Sequence, residues 1–222
     1  MVDCSDMLAS ILQHIDRVYD LDLDVDIQDF LVTPEMCARL GHDEAHASVF
    51  VREHDAGDEI ELGVYIGESE LDELSKIDLT QAIHPQSFEI LVTVIEEVSH
   101  FAYLVFSASR EHQVTQLELE LQAEVDKYVT ATLLLAAKNE GRVRANVLER
   151  LFGDFEVRRG LDSRRIDRYT AAASLASRYC SYVVEASLGR ESLNTLLPEL
   201  RSFYRLSQRG KIGRIMNVVF TA

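Results

Sequence analysis

Residues 88–108, FEILVTVIEEVSHFAYLVFSA, decide how the rest of the chain is read. They are apolar on almost every side of a helical projection. The spacing therefore predicts a helix over 88–108, opened by Ser87 and mostly buried. The exceptions are Glu89, Thr93, Glu96, Glu97 and His100, with Ser99 beside them. At i, i+4, i+7, i+8 and i+11 these residues form one polar stripe. A narrow acidic stripe on a buried helix faces either water or a polar pocket.

Within the stripe, Glu96-Glu97-Val98-Ser99-His100 has the layout of H-E-x-x-H with Glu in place of the first His. The layout has a mechanical reason. Residues i and i+4 lie one turn apart on one face and can grip a single metal, while the Glu between them polarises a bound water as general base. A third ligand must come from another element. A second long helix is expected over 113–139, ending at Gly141, and its segment ELELQAEVDKY offers Glu118, Glu120, Gln122, Glu124 and Asp126. A helical hairpin can bring this acidic run back over the first helix. Two plainer readings stay open: a solvated stripe, or one neutralised by arginines from the C-terminal half.

Upstream, residues 3–18 read as a helix with Leu8, Ile11, Leu12, Ile15 and Val18 on one face. Residues 20–27 alternate Asp20, Asp22, Asp24 and Asp26 with Leu21, Leu23, Val25 and Ile27, a period-2 pattern that predicts a strand with one acidic face. A calcium loop is excluded, because the position needing Gly for the sharp turn holds Val25 or Ile27. TPEMCARLG reads as a short helix capped by Thr33 and stopped by Gly41. Residues 47–52 and 59–66 read as a hairpin turning near Gly57, and 69–77 as another short helix.

This order of N-terminal helix, small antiparallel sheet, H-E-x-x-H-like helix and second acidic helix resembles a minimal zincin-like metallopeptidase core. It looks most like the ImmA/IrrE type of gluzincin. EVDKYVTATLLL is similar to that family's segment in which Ala-Asp-x-Phe-Ala and Leu-Leu recur. The resemblance covers about residues 1–140. It implies Glu96 at the first metal-ligand position, Glu97 as catalytic base and His100 as second ligand. Four residues before Asp126, Gln122 falls where the third ligand is expected, with Glu118 and Glu124 as neighbouring substitutes. Asp126 would hold His100 by a hydrogen bond. Neutral Gln is a poor zinc ligand, and a Glu/His/Glu set is harder than His/His/Glu. The implied cofactor is one divalent metal, with Mn or Fe suited as well as Zn.

The chain has 222 residues, 47% hydrophobic and 27% charged, ordinary for a globular protein with ample core. The start lacks the pattern of a signal peptide, and no stretch approaches the roughly 20 apolar residues of a membrane helix, so no membrane partner is expected. Three cysteines without CxxC spacing point to a reducing cytoplasm. The net charge of −16 hides a split: residues 1–140 hold seven Lys/Arg against 30 Asp/Glu, residues 141–222 hold 15 against eight. Residues 141–222 read as all helical, over 144–158, 163–187, 191–206 and 208–217. Docking of this basic part on the acidic part is the expectation, because local compensation is needed.

Arg158, Arg159, Arg164, Arg165 and Arg168 cluster near a helix junction and could bind an acidic partner. The overall pI of 4.8 argues against nucleic acid. No Gly-rich phosphate loop, G-x-S-x-G or Ser/His/Asp set is present. A di-iron bundle needs two ExxH motifs, and only Glu97/His100 fits. His42 and His46, at i, i+4, sit just past a helix stop. Tyr169, Leu175, Ala176, Tyr179, Cys180 and Val183 recur at helical spacing as core.

The expectation is an α+β protein, with an acidic zincin-like domain over 1–140 and a basic helical segment over 141–222 packed on it. The expected function is a protein-binding or regulatory module that has lost its standard metal set and peptidase activity. The alternatives are a divergent metal-dependent hydrolase using Glu97 as general base, and an adaptor that binds an acidic partner or nucleic acid through the C-terminal arginines. Oligomeric state is left open.

Overall fold

The computed structural model describes residues 4–39, 47–53, 60–77, 83–138, 147–153, 161–190 and 193–219. Gly41, Gly57, Gly141, Gly160, the His42/His46 pair, Arg158 and Arg159 lie outside them. The described chain is mostly helical with one two-stranded antiparallel sheet, an α+β arrangement.

α1 (Cys4–Tyr19) buries Leu8, Ile11, Leu12, Ile15 and Val18, the face its spacing predicts. The alternating segment after it is not a strand. Asp20 and Asp22 take left-handed φ values of 57° and 61°, and Leu21 N–H and Leu23 N–H are held by the backbone oxygen and carboxylate of Asp16. A 3₁₀ turn, Ile27–Phe30, follows, opened by the Asp26 side chain. Leu21 and Ile27 are buried against the helices rather than on a sheet. Alternation in such a segment marks inside and outside, and among the described residues no ladder partner lies beside it.

α2 (Pro34–Arg39) begins where the Thr33 hydroxyl accepts from Met36 N–H at 3.3 Å. β1 (Ala47–Glu53) pairs with β2 (Ile60–Ile66), Ala47 opposite Ile66 and Val49 opposite Val64. Ala47, Val64 and Ile66 turn inward. Val32 N–H donates to Val64 O at 2.9 Å, which fastens the chain before α2 to β2. Gly63 permits that approach: a Cβ there would lie 2.8 Å from Val32 Cγ1. α3 (Glu68–Ser75) follows.

α4 (Pro85–Ala108) starts three residues ahead of the apolar run, with His84 at its N-cap and Pro85 in the first turn, where a missing N–H costs nothing. By length and composition α4 does meet the requirement for a membrane helix, which corrects the reading of the sequence; 61% of its apolar window is buried inside the protein. α5 (Gln116–Lys138) runs back along it, opened by Thr115, whose hydroxyl accepts from Glu118 N–H. α6 (Val147–Phe152) and α7 (Ser163–Arg190) follow, and α5 packs between α4 and α7. α7 runs three residues past the expected end at 187, and Gly189 lies inside it. Ala176, Tyr179, Cys180 and Val183 are buried; Tyr169 and Leu175 are half-buried.

α8 (Leu193–Tyr204) and α9 (Gln208–Val219) close the fold. Two arginines of this segment reach α1, whereas Arg214 pairs with Glu199 on α8. Arg201 donates to Val18 O and Arg17 O, and Arg205 donates to Tyr19 O and Asp20 O. Two arginines thus satisfy the carbonyls left open at the end of α1, where a cation also meets the negative end of the helix dipole. Tyr204 stacks against Tyr19 at 4.3 Å and meets Tyr103 edge-on at 5.0 Å. The apolar core runs without a break from Leu8 to Ile215.

Candidate functional site

α5 carries two polar stripes, Glu118/Gln122/Asp126 and Glu120/Glu124/Lys127. Residues two apart on an α-helix point about 200° from each other, so the stripes lie on different faces. α4 meets both, Ser99 and Tyr103 on the first and Glu96 and His100 on the second.

The second stripe builds the centre the sequence singled out. The polar line on α4 begins exposed at Glu89 and is buried by His100. Glu96, His100 and Glu120 bring one ligand atom each within 4.8 Å of one another. His100 Nδ1 lies 3.6 Å from Glu97, and Nε2 lies 3.5 Å from Glu120 without a hydrogen-bond partner. Lys127 donates to Glu96 at 3.0 Å and to Glu124 at 2.8 Å. Arg168 reaches in from α7, with Nε 3.4 Å from Glu120 and Nη1 on Gln116. The side chains of Glu97, His100, Glu120 and Glu124 are all about nine-tenths buried, and Glu96 is 26% exposed.

The charges follow from this packing. Burial pulls His100 toward its neutral form, but the carboxylates of Glu120 and Glu97 at 3.5 and 3.6 Å, with the charge of Glu96 beside them, outweigh it and raise its pKa to about 10. Burial also works against the Lys127 ammonium; the charges of Glu96 and Glu124 more than compensate and hold it above its ordinary range. Burial raises Glu124, with Lys127 opposing and Glu96 adding to the rise. Four carboxylates thus meet three cations from the same chain.

The first stripe does different work. Glu118 accepts from Tyr103 OH at 2.6 Å, lies 2.9 Å from His112 Nε2, and accepts from Gln208 N–H at 3.0 Å, capping α9. Gln122 accepts from Lys211 Nζ at 2.5 Å and donates to Asp126 at 2.7 Å. Asp126 takes its other bond from Ser99 Oγ at 2.5 Å. Burial lifts Asp126 to about 6 against the hydrogen bonds that hold it down.

Of the expected ligands, the structure brings together Glu96 and His100 and does not add Gln122 or Glu118, which face α9. Glu124 sits beside Glu96 through Lys127. Asp126 does not hold His100; it belongs to the other face and bonds Ser99. Glu97 lies against His100. Glu120 supplies the third member of the cluster, one turn earlier than Glu124. Arg164 and Arg165 are exposed, with Arg165 paired to Asp162 at 3.5 Å, whereas Arg168 turns inward and is not open to a partner.

Sequence reasoning passed over Lys127 and Tyr103, and took Lys211 only as one of the basic residues near the end, with Arg205, Arg209 and Arg214, that bind phosphates if exposed. Lys127 carried a signal, the one cation of the acidic run ELELQAEVDKY, at i+3 from Glu124. Lys211, in RGKIGR, carried none. Comparison with protein-family models, curated proteins and solved structures finds no match.

Proposed function

We propose that this chain is a zincin-like scaffold that has exchanged its metal for internal cations and serves as a protein-binding or regulatory module without peptidase activity. One observation carries this reading: the Lys127 ammonium bridges Glu96 and Glu124 at 3.0 and 2.8 Å, on the carboxylate that a metal would need. Arg168 does the same for Glu120. A buried carboxylate already neutralised by a fixed cation gains little from a second one. Glu97 is packed 3.6 Å from His100 with its side chain only 13% exposed, which restricts access to it.

The test is elemental analysis of protein purified without chelators, set beside His100→Ala. Less than about 0.1 equivalent of Zn, Mn or Fe in both supports the module. About one equivalent that disappears in His100→Ala rejects it.

A second reading rests on a separate observation. His100 Nε2 is buried, has no hydrogen-bond partner and points at Glu120, and with Glu96 it forms a donor set of the right type for a divalent cation. In that reading Glu96, His100 and Glu120 hold the metal, which would supply Lewis acidity to a bound carbonyl. Glu97 accepts a proton from the attacking water, and Lys127 must leave Glu96. Loss of hydrolysis in Glu97→Gln with the metal retained is its signature.

A further inference from the structure

The first stripe of α5 contains a group that the module reading does not use. Lys211, on α9, is completely buried. Its Nζ donates to Tyr103 OH at 2.9 Å and to Gln122 Oε1 at 2.5 Å, and lies 4.2 Å from the centre of the Tyr103 ring. The rings of Phe203 and Tyr204 stand farther off, at 5.4 and 5.7 Å. Among the described residues no carboxylate forms an ion pair with it; Glu118 and Asp126 act on it from beyond contact. The lining suits an alkylammonium: two neutral oxygen acceptors, an aromatic face, and two carboxylates at the rim.

Of the described side chains of α9, Lys211 and Ile215 are buried, Glu118 caps its start, and Arg214 pairs with Glu199 at 2.6 Å. Gly210 and Gly213 lie within its 12 residues, each costing about 1 kcal/mol of helix propensity relative to Ala, and a Cβ on Gly213 would meet nothing. Burial lowers the Lys211 pKa to about 7 in spite of Glu118 and Asp126, so docking removes hydration that the ammonium regains on release. A helix that carries two glycines and is fastened through a costly buried cation is a candidate for the low-stability end of a fold.

We propose that the cradle formed by Tyr103, Glu118, Gln122 and Asp126 is a binding site for a primary alkylammonium group, such as a lysine side chain, and that α9 occupies it in cis as an autoinhibitory latch. This does not rest on the reading of the Glu96/His100 centre. When α9 lifts, Glu118 loses the Gln208 N–H but keeps Tyr103 and His112, and the cradle becomes more negative. A ligand ammonium then competes with Lys211 for the same acceptors.

The experiment uses the full chain and n-butylammonium as probe, with n-butanol and tetramethylammonium as controls at fixed ionic strength. In Lys211→Ala, butylammonium should raise the melting temperature saturably by about 3 °C, and the controls should not. An equal rise with butanol means an apolar hole, and no rise means no site; either overturns the proposal. Hydrogen exchange on the wild-type chain decides independently, and stands even if Lys211→Ala fails to fold. The α9 amides should exchange at least about tenfold faster than those of α5, and faster still with butylammonium. Exchange of α9 at the α5 rate, or indifference to butylammonium, refutes the latch.

Discussion

Glu96 and Lys127 face each other across the α4–α5 pair at 3.0 Å, and the same ammonium reaches Glu124 at 2.8 Å. The Glu96/Glu124 pair is therefore held by a covalently attached cation. Lys127→Met removes the ammonium that bridges Glu96 and Glu124 in a largely buried site and should cost about 3–5 kcal/mol in urea denaturation at neutral pH. Adding Glu96→Gln and Glu124→Gln should return most of the loss. A cost below about 1 kcal/mol would show that solvent, not Lys127, balances these charges.

The same bridge predicts latent metal affinity. In Lys127→Ala, Mn or Zn should raise the melting temperature by several degrees, on the order of 2–3 kcal/mol of linkage at a hundredfold excess over Kd. The wild-type chain should not respond. A further His100→Ala should abolish the response, and its persistence would place the metal elsewhere.

His100 and Lys211 predict opposing pH dependences. His100 is raised from 6.5 to about 10, so its contribution is present in full below 6.5 and fades as pH climbs to 10. Lys211 is lowered from 10.5 to about 7, so the folded form binds fewer protons between those values and stability rises with pH across that window. The groups facing Lys211 are Tyr103 on α4, Glu118 and Asp126 on α5, and Tyr204 on α8. Asp126, lifted from 3.8 to about 6, makes its change below the window. Between pH 7 and 10 the two slopes oppose, each at most about 1.4 kcal/mol per pH unit. His100→Asn should expose a rise and Lys211→Met a fall, and parallel profiles in both would exclude these assignments.

Gly63→Ala should destabilise by about 1–3 kcal/mol, since the new Cβ meets Val32 Cγ1 at 2.8 Å where the chain is tied to β2. Hydrogen exchange should show Val32 N–H losing protection first. A neutral substitution would mean that residues 31–32 yield freely.

Sequence periodicity located the helices because each buries an apolar face, as Leu8 to Val18 and Ala176 to Val183 show. It misread residues 20–27 because alternation reports which side chains are covered, not whether a neighbouring strand exists. The polar line on α4 was legible down to Glu96 and His100. Its partner was not: α5 carries acidic residues on two faces, and the rotation of α5 against α4 selects Glu120 over Gln122 or Glu118. Spacing along one helix does not contain that rotation. Arg168 looked like a surface charge beside Arg164 and Arg165, and turned inward because its place on α7 faces Glu120.

The arginine caps on α1 set an order of assembly. Arg205 is 186 residues away from Tyr19, and Arg201 is 183 from Val18. At about 5–20 residues per second of synthesis, α1 waits roughly 10–40 s for the groups that finish its end. Closure between such distant segments is a contact of very high sequence separation, the kind that slows folding. The end of α1 is thus among the last parts of the described chain to be secured.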